Sequence, residues 1–92
     1  MRYKLNIVFI VGEIIEKIEF DFIVNNDYDA VSRTMIRTFK GFNKKGEIKE
    51  CDLKVHAFNE MADELVSKYN IGDNIAIRGY LKSNYIVIEK IY

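Results

Sequence analysis

A mainly β protein, a small five-stranded barrel with one helix between its third and fourth strands, is the fold class this sequence predicts. Three observations carry the expectation: apolar residues recurring at every second position, one late segment with apolar residues at helical spacing, and Gly or Asn where those segments meet. Ninety-two residues suffice for one hydrophobic core and not for two, so residues 1–92 are read as a single domain.

The run Leu5 to Gly12 is apolar at nearly every position, as expected of a strand covered on both faces, and Gly12 allows a bend or bulge at its end. Ile18 to Val24 alternates, with Glu19 and Asp21 between apolar neighbours, and is placed either as an extension of the first strand or paired beside it. Asn25 to Asp29 reads as a loop. Val31 to Phe42, rich in Thr, Ile, Arg and Phe, favours a strand whose two faces are both mixed, so neither is assigned to the interior. Asn43-Lys44-Lys45-Gly46-Glu47 supplies a hairpin turn. From Ile48 to Phe58 the alternation is clean, with Cys51, Leu53, Val55 and Ala57 expected in the core and Asp52, Lys54, His56 and Phe58 opposite. Asn59 is placed as a helix N-cap, Glu60 and Asp63 suit the positive end of the helix dipole, and Ala62, Leu65, Val66 and Tyr69 form the buried stripe. Asn70 to Asp73 ends the helix, with Gly72 free to take a left-handed conformation. A strand over Ile75 to Leu81 directs Arg78, Tyr80 and Lys82 outward, and Ser83-Asn84 turns tightly into a last strand, Tyr85 to Ile91. A helix between strands three and four of five is the OB-fold arrangement, whose strand-two and strand-three face commonly takes oligonucleotides.

Composition excludes several classes of function. The longest apolar stretch is too short to span a bilayer, and no export signal is read around Arg2 and Lys4, so a membrane role is not expected. Cys51 is the only cysteine and His56 the only histidine, too few for a zinc site and without a partner for a disulfide; a reducing cytoplasm is expected. No phosphate-binding glycine loop is present, and Asp63 and Glu64 are helix neighbours that point apart. Neither an enzyme nor a cofactor or metal is expected. Lysine plus arginine equals aspartate plus glutamate at 14 each, but the charges segregate. Between Val31 and Lys49 the cations Arg33, Arg37, Lys40, Lys44, Lys45 and Lys49 face Glu47 alone, whereas acids exceed bases from Cys51 to Asp73. A local basic patch can draw a phosphate backbone at zero net charge.

Two stretches of residues resemble the bacterial single-strand DNA-binding protein family. One is Asn6-Ile7-Val8-Phe9-Ile10-Val11-Gly12, similar to that family's opening strand. The other runs from Leu53-Lys54-Val55-His56-Ala57-Phe58-Asn59-Glu60-Met61-Ala62-Asp63 to Gly72-Asp73 and Ile75-Ala76-Ile77-Arg78-Gly79-Tyr80-Leu81. The resemblance implies sequence-independent binding of single-stranded DNA in replication, repair or recombination by a homo-oligomer, a tetramer or a dimer, with replication or repair proteins as further partners. It places Phe58 on a base-stacking position, with Phe39 and Phe42 near a second one. Arg33, Arg37, Lys40, Lys44, Lys45, Lys49 and Lys54 are then phosphate contacts beside His56, and Arg78, Tyr80 and Lys82 are candidates on the fourth strand. A ring and a cation on one surface suit this chemistry, because each stacked base contributes roughly 1–3 kcal/mol whatever its identity.

Three departures from the family pattern stand out. Asp52 occupies a position where the family has a stacking tryptophan, the Lys82–Tyr85 hairpin is short, and Tyr92 follows the last strand without an acidic recruiting tail. Weaker wrapping of DNA is expected, and the alternative reading is a protein-interaction or primosome-restart module with weak or no DNA binding.

Overall fold

The structure is a computed structural model that describes residues 5–23 and 30–92. Arg2, Lys4, Val24 and the loop expected over Asn25 to Asp29 lie outside the described residues. The elements run in the order β1 (Val8–Ile14), β2 (Glu19–Phe22), β3 (Ala30–Phe42), β4 (Ile48–Phe58), α1 (Glu60–Lys68), β5 (Asn74–Lys82) and β6 (Tyr85–Ile91). The sheet has the order β1-β5-β6-β4-β3-β2, and a further pairing of β1 with β3 closes five of these strands into the expected barrel. All pairings are antiparallel except β4 with β6.

The length of β3 makes closure feasible. One of its edges takes β4 along its whole length, while the other takes β2 over Ala30–Arg33 and β1 over Ile36–Thr38. Strand β2 therefore extends the first strand along the same β3 edge after a break, the first of the two placements expected for its segment. Gly12 sits where β1 is paired on both sides, with Ile75 of β5 and Thr38 of β3. A Cβ there would lie 2.4 Å from the Arg37 carbonyl oxygen, so only glycine lets the strands approach this closely. The bend expected at Gly12 is thus the seam of the barrel. Gly79 plays the same part between β5 and β6, where a Cβ would lie 2.0 Å from the Val87 carbonyl oxygen.

Ile10, Ile14, Ile36, Val55, Ala57, Ile75, Ile77, Ile86 and Ile88 fill the barrel. In β3 it is the even positions, Ser32, Thr34 and Ile36, that turn inward, settling the face left open by its composition. Their hydroxyls are satisfied: Ser32 Oγ donates to the Ala62 carbonyl at 2.8 Å and Thr34 Oγ1 to the Glu16 carbonyl at 2.7 Å. Helix α1 closes one end of the barrel with Ala62 and Leu65, both fully buried, while Val66 of the expected stripe remains exposed.

Four local expectations need correction. The first strand is covered on one face only: Phe9 and Val11 are 68% and 73% exposed, because the barrel offers nothing to cover their side of β1. Cys51 is half-buried rather than core, since its part of β4 runs out beyond the barrel toward the hairpin tip. Asn59 holds the N-cap position, but its side-chain oxygen accepts from the Ala30 N–H at 3.3 Å and so ties the helix start to β3. Gly72 is left-handed at φ 94°, yet the helix has already ended at Lys68, with Tyr69 extended. The Asn43–Glu47 turn forms as expected, organised by Asn43 Oδ1, which accepts from the backbone N–H groups of Lys45 and Glu47 at 2.9 Å each.

Adding a Cβ at Gly12 or Gly79 forces backbone apart. Gly12→Ala and Gly79→Ala are each expected to lower unfolding stability by about 1–3 kcal/mol in denaturant titrations, against less than about 0.5 kcal/mol for the exposed Lys44→Ala. An unchanged midpoint in either glycine variant would contradict the closure described.

Candidate nucleic-acid interface

Residues directly opposite one another in a ladder share a face, so register decides which side chains meet. Glu19 pairs with Arg33, Arg33 with His56, His56 with Val87, and Val87 with Tyr80. These five side chains form one row across β2, β3, β4, β6 and β5 on the outer face. Met35 and Lys54 form the next pair along β3 and β4, then Arg37 and Asp52, then Phe39 and Glu50. A bulge between Phe39 and Gly41 then puts Phe42, paired with Ile48, back on this same outer face.

The face therefore carries rings at both ends. At the hairpin end Phe39 and Phe42 meet edge to face with centroids 5.3 Å apart, and both are exposed together with Ile48. At the other end His56 stacks on Tyr85 at 3.9 Å with 16° between the planes, and Phe58 stands 6.4 Å from His56. Lys82 closes the β5–β6 turn opposite Tyr85, which places it and Tyr80 on this side of the barrel. Tyr85 is the site residue that sequence reading missed. Alternation alone could have turned it outward, but its place beside His56 results from the parallel pairing of β4 with β6.

Cations lie between the two ring clusters, and two of them are engaged. Arg37 Nε and Nη2 donate to both carboxylate oxygens of Asp52 at 2.8 and 3.1 Å, and Arg33 pairs with Asp21. The hydrogen bond from Arg37, reinforced by its charge, holds the Asp52 carboxyl below the ordinary carboxylate value. Asp52 thus neutralises an arginine on this face. Both pairs are exposed and worth little in water, so an incoming phosphate can compete for either arginine. Lys54 has no ion-pair partner among the described residues. Lys44 and Lys45 sit exposed in the turn and Lys40 lies at the bulge, whereas Lys49 alternates to the opposite side from Ile48 and Glu50 and leaves the face. Arg78 points outward beside Phe9 of β1, apart from the β3–β4 face.

No protein-family profile matches the sequence, and no curated protein matches it. Solved structures do match in fold. The single-strand-binding domain of a Synechococcus protein superposes with a TM-score of 0.77 at 15% identity, covering 100% of this chain and 99% of its own. A small single-stranded DNA-binding protein from Streptomyces coelicolor gives 0.77 at 14% identity, covering 99% and 94%. One from Mycoplasma pneumoniae gives 0.65 at 24% identity, covering 97% and 86%. The OB-type barrel is thereby shared across the whole chain.

His56 provides a pH reading of this face. Burial, then the positive charges of Arg33 and Lys54, push its imidazole below the ordinary 6.5. As pH falls below 6.5, an unfolded chain takes up the proton before the folded one does, so stability declines until native His56 also protonates. An NMR titration of His56 is expected to give a midpoint below 6.5, and His56→Gln is expected to remove this part of the acid-induced decline. A midpoint at or above 6.5 would contradict the surroundings described.

Proposed function

We propose that this protein binds single-stranded DNA without reading its sequence, laying the strand along the outer face of β3 and β4, and serves in replication, repair or recombination. The observation that carries the proposal is the bulged register that brings Phe39 and Phe42 onto the same face as Lys54, His56, Phe58 and Tyr85. Exposed rings at the hairpin end and half-buried ones at the other offer bases a π-surface, and the cations between them suit the backbone. The solved proteins of the same barrel that are described as binding single-stranded DNA support the reading. The role is one of binding, with no reaction assigned to it.

A second copy of the chain is part of the same proposal. Ile7, Phe9 and Val11 are exposed, and from Val8 to Val11 the strand β1 is paired with β5 alone among the described residues. An apolar strip beside a free strand edge is self-complementary about a two-fold axis and a liability if left bare. Light scattering is expected to read a dimer or larger assembly; a lone 10.8 kDa species at micromolar concentration would overturn the pairing.

Anisotropy titration with fluorescent oligo-dT tests the DNA reading. Affinity is expected to fall steeply with salt, with Lys54→Ala reducing the slope of log K against log salt by about 0.7 for one lost phosphate contact. Phe39→Ala with Phe42→Ala is expected to weaken binding about 5-fold or more, the least that one stacked base provides. Absence of binding at low salt, or equal binding of duplex, would sink the proposal. The two arginines held by acids favour the alternative of an interaction module in that event.

A further inference from the structure

The break between β1 and β2 leaves a cleft on the outer face. Its floor is β3, at Arg33, Thr34 and Met35; Glu16, Lys17 and Glu19 stand on one side, and Lys54 and His56 on the other. The cleft has a volume of about 250 Å³, below the roughly 300–1,000 Å³ of sites that take whole drug-sized ligands. That size suits one flat ring. Because β4 lies between β6 and β3, Tyr85 covers the β6 side of the His56 ring and the cleft lies on its β3 side. A ring entering the cleft would continue the stack that Tyr85 and His56 begin.

The polar groups around the cleft are divided between engaged and open ones. Thr34 Oγ1 is spent on the Glu16 carbonyl, and Arg33 is paired with Asp21. Among the described residues, the charged groups of Glu16, Lys17, Glu19 and Lys54 have no partner in an ion pair or side-chain hydrogen bond, and of the two carboxylates it is Glu19 that the register sets on the outer face opposite Arg33. Glu19 is an acceptor only, and Lys54 a donor only. A carboxylate close to a phosphate backbone weakens binding in general, so its presence favours a ligand edge that donates to it.

Resting on the single-strand reading above, we propose that this cleft is a one-base subsite that stacks a nucleobase on His56 and prefers cytosine to thymine. Cytosine offers its N4 amino group to the Glu19 carboxylate, and its O2 and N3 acceptors suit Lys54. Thymine places its O4 acceptor where cytosine carries the amino donor, leaving two acceptors opposed. The protein thus binds any strand through its rings and cations, and sets the register of cytosine-containing strands through this one position.

Anisotropy measurements with an oligo-dT strand carrying a single dC at each position in turn test the proposal. One position, or a short window, is expected to tighten binding about 5-fold, the low end of a good base-edge contact. A dU at the same position is expected to behave as dT, which separates the amino group from the missing methyl. Glu19→Gln, whose amide both donates and accepts, is expected to bind all-dT more tightly and to erase the preference. Equal binding of every dC-substituted strand while oligo-dT still binds overturns the subsite alone. A preference that survives in Glu19→Gln, or that dU reproduces, also overturns it. Failure of oligo-dT itself to bind the folded protein overturns both the subsite and the single-strand reading.

Discussion

Closure of the barrel at Gly12 is the constraint on which the rest of the structure depends. There β1 is paired on both sides, at Gly12 and Glu13, and the absence of a side chain on Gly12 lets β3 come within van der Waals reach of its backbone. Without that crossing β1 through β5 and β6 would form an open sheet, and the Ile-rich interior would lose one wall. The crossing also fixes the course of the chain along the β3 edge. β1 must leave after Ile14, β2 resumes at Glu19, and the interval between them becomes the cleft beside Arg33 and His56. Fold and site are therefore joined by one steric condition.

The outer face is built by register rather than by a local motif. Antiparallel pairing of β3 with β4 lines up Arg33 with His56 and Met35 with Lys54, and parallel pairing of β4 with β6 adds Tyr85 beside His56. The charge on this face is moderated from within. Asp52 engages Arg37 and Asp21 engages Arg33, so the cationic character expected from the Val31–Lys49 stretch is concentrated at Lys54 and the turn lysines. The face thus carries rings at both ends with the charge of its two arginines damped between them.

Much of this was legible in the sequence where the physics is local. Alternation from Ile48 to Phe58 placed Val55 and Ala57 inside and His56 and Phe58 outside, and Asn43 and Gly46 marked the hairpin. The helix was visible through Ala62 and Leu65. The features that stayed hidden depend on distant partners. Strict alternation sends Phe39 and Phe42 to opposite faces, and only the bulge at Lys40 reunites them. No local pattern reveals that Tyr85 neighbours His56, since parallel strands are joined through the intervening helix and β5. Likewise, an unbroken apolar run such as Ile7 to Val11 reads the same whether its second face is covered by its own chain or left open, and here it is open.

Under the proposed function, single strands lie on the β3–β4 face. Chemical-shift mapping of the labelled protein with oligo-dT tests it most directly. Perturbations concentrated at Phe39, Phe42, Lys54, His56, Phe58 and Tyr85, with the helix residues Glu60 to Lys68 unmoved, are the predicted result. Perturbations centred on α1, or on the Phe9 and Arg78 side of the barrel, with the β3–β4 face unchanged, would contradict the account.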